Sequence, residues 1–424
     1  MNFDAWLQPH KCSCGKIHNC PVEHIIVEPG AIQKLHSLVG SYRHILLVAD
    51  TNTYAVCGAQ TEAQLSGRLE NRLIYQRSGI LVPDEEAIGE LQALVTEKTD
   101  LIVGVGSGVI QDLCKYVSFQ RGLPYQIVAT APSMDGYAST GAAMIIGNMK
   151  VTYSAHVPQA IIGDVDILKD APMDMIRSGY GDILGKYSCL NDWHLSHLVN
   201  GEYFCPRVHD LMMQMVKKTR PLGQGLQARQ PQAIQILMEA LCGAGVAMAM
   251  VGNSRPASGS EHHLSHFFEI TGIVFDQPYL MHGTDVVFSA VYTQRLRRQL
   301  LALPQIPQKR AFDRQRWEAE ISRVYGSAAQ GVIALQDRLG WYQQDRYPAY
   351  LEKWQQIREV LADAPSEAEL LDCIASVGLD IADYENLYGR QKLADAVRYA
   401  KDLKDRYTVL WLYGDLQTEE DCHG

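Results

Sequence analysis

Three segments of the chain carry side chains that bind divalent cations: GYGDILGK around Asp182, SGSEHHLSHFFE around His262 and His266, and PYLMHGTDV around His282. His262 and His266 stand four residues apart, so on a helix they share one face. A carboxylate from an earlier helix and a further histidine would then complete a coordination sphere. Two imidazoles and one carboxylate leave a position open, and a cation with an open position can polarise a substrate carbonyl. Each residue also has a plain reading alone: a helix histidine packs in a core or meets solvent, and Asp182 can cap a helix.

A second feature makes the plain readings less economical. Gly104-Val105-Gly106-Ser107-Gly108 follows the apolar run LIV and precedes a helical stretch beginning near Val109. Glycines at that junction let the backbone approach a pyrophosphate, whose charge the helix N-terminus stabilises. Val109 occupies the place of the third glycine of a strict dinucleotide fingerprint, so a simple tight turn is the competing reading. Asp50 ends the apolar run HILLVAD, where it could accept from an adenosine ribose and so favour NAD over NADP. It could equally cap the TNTYAV segment after it. Near the N-terminus His10, Cys12, Cys14, His18 and Cys20 gather soft and borderline ligands. Their spacing is not that of a standard zinc finger, and thiols in an N-terminal arm are the alternative.

Composition narrows the function classes. The net charge of -10 over 424 residues disfavours nucleic acid and anionic lipid as partners. The opening MNFDAWLQPHKCSCG has neither the apolar core of a signal peptide nor the Arg-rich character of a transit peptide, so a cytoplasmic location is expected. Ten cysteines in such a chain are expected to be thiols rather than a disulfide framework. The apolar stretch from Ala233 to Gly252 carries Gln235 and Glu239 and is rich in Ala, Gly and Met, which predicts a buried core helix and no membrane span.

The elements that must position these residues follow from hydrophobic periodicity. Short β-branched runs, HIIVE, HILLVAD, RLIYQ, DLIVGVGSG, YQIVATAP and QAIIGDVDIL, alternate with amphipathic stretches, which predicts an α/β domain with a parallel sheet over residues 1–170. PDEEAIGELQALVTEKT opens in the manner of a helix N-terminus at Pro83 and Asp84. Past Ala171 such runs nearly vanish, and stretches such as WEAEISRVYGSAAQGVIALQDRL and SEAELLDCIASVGL predict an all-α domain over residues 171–424.

The stretches GVGSGVIQD, TAPSMDGYAS, GYGDILGK, SRPASGSEHHLSH and MHG resemble the iron-containing alcohol dehydrogenase, glycerol dehydrogenase and dehydroquinate synthase superfamily, and within it the sn-glycerol-1-phosphate dehydrogenases. The resemblance covers roughly residues 12 to 413 and implies a dehydroquinate synthase-like fold. It implies that Gly108, Val109, Ile110, Gln111 and Asp112 bind the pyrophosphate of NAD(H) or NADP(H), and that Thr130, Ala131, Pro132, Ser133 and Ser139 line the nicotinamide. Asp135 would contact substrate, and Asp182, His262 and His282 would hold one divalent metal, nickel or zinc. Asp182 would also touch substrate, and His266 would contact substrate; the proton for the product could come through His266 or a bound water. His263 falls outside this spacing. The implied activity is reduction of dihydroxyacetone phosphate to sn-glycerol 1-phosphate by a homo-oligomer, a dimer being favoured, with Arg255, Lys150 and Lys186 as candidates for the substrate phosphate. Glycerol dehydrogenase, a dehydroquinate synthase-type carbocycle synthase and a non-catalytic NAD- or metal-binding protein are the rival readings.

Overall fold

In a computed structural model, residues 3–146 and 149–416 are described. They divide into two compact units, one comprising Met1–Ile183 with Lys217–Asn253 and the other Leu184–Val216 with Ser254–Gly424.

The first unit is built on six parallel strands: β3 (His24–Glu28), β4 (Ile45–Asp50), β5 (Leu69–Tyr75), β6 (Leu101–Gly106), β7 (Tyr125–Ala129) and β10 (Ala160–Asp164). Their order across the sheet is β3-β10-β7-β6-β4-β5. These are the six runs legible in the sequence. β6, β7 and β10 are buried throughout and read as continuous apolar runs, as strands covered on both faces must. β3 and β5 form the edges and are only partly covered. The core over one face joins Ile45, Leu47, Val103, Val105 and Ile162 to Ile32 and Leu35.

Four further strands form two antiparallel pairs in this unit. The short strands β1 (His10–Lys11) and β2 (Ile17–His18) pair antiparallel in the N-terminal arm. β8 (Gly141–Ile146) and β9 (Met149–Ser154) form an antiparallel hairpin that the sequence reading did not find, because TGAAMII looks like a small-residue loop. The expected helix after Pro83 forms over Glu85–Leu94, where the Asp84 carboxylate accepts from Ala87 N at 2.9 Å.

The helix Pro231–Val251 belongs to this unit rather than to the C-terminal helical part, where a boundary near residue 170 would put it. Its apolar surface extends all round, so it needs cover on every side. Gln235 donates to Val27 O of β3 at 3.0 Å, and Met238 lies over Gly163 of β10. It alone among the described residues is long and apolar enough to cross a bilayer, and 78% of its most apolar window is buried, as a core helix requires.

The second unit has no strand among its described residues. The WEAEISRVY…QDRL stretch is two helices, Arg314–Tyr325 and Ala329–Leu339, because Gly326 takes φ +51° and ends the first. Ser366 opens Glu367–Ser376 with a capping box to Glu369. A core of Leu195, Leu300, Tyr350, Ile357, Trp411 and Leu412 joins other helices of this unit, among them His282–Ala302, Tyr347–Ala362 and Val409–Leu416.

Candidate active site

In the first unit β6 runs through Gly104 and Gly106 into the helix Gly108–Arg121. A Cβ on Gly106 would stand 2.6 Å from Ile110 Cβ, and one on Gly104 would stand 2.9 Å from Cys114 Sγ. The helix therefore crosses the strand as closely as a nucleotide-binding turn requires, with the glycines before the helix rather than at Val109. Gln111 N donates to Ser107 O at 2.9 Å as the first bond of the helix. The N–H groups of Gly108, Val109 and Ile110 precede it and are the donors that an anion at this terminus would meet.

Other residues expected at the nucleotide turn out to hold its walls. Gln111 is fully buried, and its amide donates to the Tyr125 hydroxyl and to Tyr137 O. Asp112 accepts from Ala143 N on β8 at 3.2 Å. Lys115, one turn further along, was not singled out by the sequence. It is completely buried and donates to Gly136 O, Ser139 Oγ and Gly141 O at 3.0, 3.1 and 2.9 Å. Burial lowers its pKa against the opposing pull of Asp112. The one available signal was a lysine inside the apolar run LCKYV. Asp50 forms a capping box with Thr53, so the capping reading describes what its side chain does here.

The loop from Thr130 to Ser139 is fixed by backbone contacts. Thr130 N donates to Gly106 O, the Tyr137 hydroxyl to Ala131 O, and the Ser178 hydroxyl to Ser133 O. Gly179 sits so close beneath Pro132 that a Cβ there would come within 1.9 Å of Pro132 O. Asp135 N donates to Asp182 Oδ2 at 3.0 Å, and Asp182 is fully buried.

In the second unit three histidines converge. His262 and His266 lie one turn apart on Ser260–Phe275, and His282 is the first residue of His282–Ala302. Ring centroids are 6.0 Å apart for His262–His266, 5.0 Å for His262–His282 and 5.6 Å for His266–His282. Glu261, which the sequence reading passed over, approaches His262 Nδ1 with Oε1 at 2.7 Å. With Nδ1 carrying the proton to that carboxylate, Nε2 presents a lone pair, the arrangement metal-binding histidines use. Burial, with the charge of Asp192 adding, pushes the Glu261 carboxyl up to about 7. Burial, Lys186 and the neighbouring histidines hold His262 well below its ordinary range, and thus neutral. Glu269 also joins: ligand atoms of His266, Glu269 and His282 lie within 4.8 Å of one another. His263, fully buried, points its ring elsewhere, and neither ring nitrogen has a hydrogen-bond partner.

The basic candidates separate. Arg255 is 4% exposed and its guanidinium is engaged by Glu202, Ser196 Oγ and Tyr407 O, so it is withdrawn as a phosphate ligand. Lys150 lies outside the residues whose side chains are described. Lys186 is buried close enough to His262 to depress its pKa, and half-buried Lys404 does the same.

A glycine-seated helix N-terminus on a parallel sheet, with a histidine cluster on helices, defines a nucleotide- and metal-binding oxidoreductase class, and the iron-containing alcohol dehydrogenase family matches residues 26–172. An alcohol dehydrogenase from Oenococcus oeni shares the fold, with a TM-score of 0.62 at 15% identity over 94% of this chain and 96% of that one. A glycerol-1-phosphate dehydrogenase (NAD(P)+) of Halalkalibacterium halodurans is 35% identical over 302 residues, 68% of this chain and 76% of the relative. Another, of Geobacillus stearothermophilus, is 30% identical over 421 residues, 96% of each chain. The chain belongs to the glycerol-1-phosphate dehydrogenase family and is an oxidoreductase.

Proposed function

We propose that the chain reduces dihydroxyacetone phosphate to sn-glycerol 1-phosphate with NADH or NADPH, using one divalent cation, nickel or zinc, held by Asp182, His262 and His282. The observation that carries the reading is the histidine triangle with His262 Nδ1 tied to Glu261, which leaves Nε2 as a ligand. Asp182 sits on the helix Met173–Asn200, whose next turn carries Lys186 in the same unit as the histidines. Imidazole nitrogens and a carboxylate are donor types that nickel and zinc take. When bound, the cation supplies polarisation of a carbonyl oxygen and the nicotinamide supplies the hydride.

The chain's own residues do the remaining work. Gly108, Val109 and Ile110 offer backbone N–H groups to the pyrophosphate, with Gln111 and Asp112 bracing that turn. Thr130, Ala131, Pro132, Ser133 and Ser139 line the nicotinamide, and Asp50 is assigned to the ribose. Asp135 and Asp182 contact substrate, while His266 contacts it and holds the proton destined for the new alcohol at a ring nitrogen. Lys186 and Lys404 meet the substrate phosphate as point charges. The reading carries a homodimer and a cytoplasmic location, the first to be checked by light scattering.

The test is NADH oxidation with dihydroxyacetone phosphate, metal by metal, followed by chiral analysis of the product. Stoichiometric oxidation yielding the sn-1 isomer supports the reading. Turnover restricted to unphosphorylated glycerol would make it a glycerol dehydrogenase, and turnover without net NADH loss a carbocycle synthase. Full activity after exhaustive chelation would remove the cation from the scheme.

A further inference from the structure

The motif HKCSCGKIH found no use in the oxidoreductase site, and the structure folds it into a compact knuckle. Lys11 and Ile17 pair across β1 and β2, Cys12 N donates to Lys16 O at 2.9 Å, and Gly15 N donates to Cys12 O at 3.1 Å. Gly15 takes φ +88°, which lets the chain reverse immediately after Cys14. That reversal brings Cys14 Sγ to 3.4 Å from His18 Nε2, and the ligand atoms of Cys12, Cys14 and His18 all lie within 4.8 Å of one another. Ligands around a tetrahedral zinc at about 2.3 Å for sulfur and 2.1 Å for nitrogen stand about 3.6 Å apart, close to the 3.4 Å between Cys14 Sγ and His18 Nε2.

His18 supplies the second observation. It is fully buried, and its Nδ1 lies 2.8 Å from Met250 O near the end of the helix Pro231–Val251. A carbonyl can only accept, so Nδ1 carries the proton and Nε2 turns a lone pair toward the thiols. A histidine oriented by a backbone carbonyl through its far nitrogen is how proteins prepare an imidazole ligand.

We propose that Cys12, Cys14 and His18 bind a structural zinc ion, distinct from the cation of the oxidoreductase site, that staples the N-terminal arm to the end of the Pro231–Val251 helix. Two strands of two residues each are too short to hold together alone, and the ion supplies the missing cross-link.

The experiment is zinc content per chain and X-ray absorption at the zinc edge for the zinc-supplied full-length protein, compared with a Cys12→Ser/Cys14→Ser double variant and a Cys20→Ser control. The expected result is a sulfur shell around zinc in the parent and the control, and loss of about one zinc per chain in the double variant. Unchanged zinc in the double variant, or a parent spectrum with only nitrogen and oxygen neighbours, would overturn the proposal. Should the double variant fail to fold, the parent spectrum still decides. The site proposed for catalysis has no sulfur ligand, so its failure would leave this readout untouched.

Discussion

Glu261 acts at one remove from the reaction. Its carboxylate fixes the tautomer of His262, and it gains a negative charge only if something nearby compensates its burial. Replacing it by Gln keeps the shape and loses the charge. Nickel or zinc affinity is expected to fall about 10- to 100-fold, measured by competition with a chromogenic chelator, while kcat at saturating metal falls less. Two cationic side chains of the second unit should part company in the same way. Lys404→Met should raise KM for dihydroxyacetone phosphate and leave turnover of unphosphorylated carbonyls unchanged. Arg255→Ala should leave KM alone and cost on the order of 2 kcal/mol of stability in a denaturant melt, because it strands Glu202. His262, His266 and His282 were visible in the sequence because a four-residue spacing and a separate MHG motif survive translation into helices. Glu261 was not, because an acid in the first turn of a helix has an ordinary electrostatic reason to be there.

Asp192 shows how elements are held so that those histidines meet. One carboxylate oxygen accepts from Ser260 N at 2.7 Å, at the start of the His262 helix. The other accepts from Val409 N, at the start of Val409–Leu416, and from Arg297 at 2.9 Å each. Arg297 is 1% exposed and Asp192 fully buried, so neither charge can turn to water. Asp192→Ala is expected to destabilise by about 3–5 kcal/mol, read as a lowered denaturant midpoint, and to loosen metal binding because the Ser260 terminus loses its anchor. Nothing in LNDWHL marks Asp192 for this role, since its partners are 68, 105 and 217 residues away in sequence. The strands were legible for the opposite reason: a β-branched run bounded by turn residues identifies itself without its neighbours. The β8–β9 hairpin and Lys115 belong with Asp192. Small residues and one lysine become structural only after the Gly108–Arg121 helix brings them together.

At the scale of the whole chain, a cation that binds the folded protein and not the unfolded one must stabilise it by mass action, whatever chemistry it performs. Raising free nickel or zinc to a hundredfold above its dissociation constant should contribute about 2.7 kcal/mol. That gain should appear as a higher denaturant midpoint with an unchanged slope, since the same surface is exposed on unfolding. His262→Ala should abolish the increment for a nitrogen- and oxygen-ligated ion. Any remaining zinc-dependent increment should vanish with Cys12→Ser/Cys14→Ser, because the arm offers sulfur together with an oriented imidazole. If the two increments proved inseparable, one variant erasing both, the chain would hold a single ion, and the assignment of separate catalytic and structural sites would fail. The same titration bears on why the chain spends ligands so far apart in sequence. Ligands drawn from residues 12 to 18 close a short loop, whereas those drawn from 182, 262 and 282 close loops of many tens of residues. On loop-closure entropy alone, gathering the distant set costs more, and the cost grows only slowly with length, so that set depends on the rest of the fold to assemble it. The unfolded chain can more readily retain an ion in the local knuckle, and such retention offsets stabilisation, so the Cys12- and Cys14-dependent increment should be the smaller of the two at the same ratio of free ion to dissociation constant.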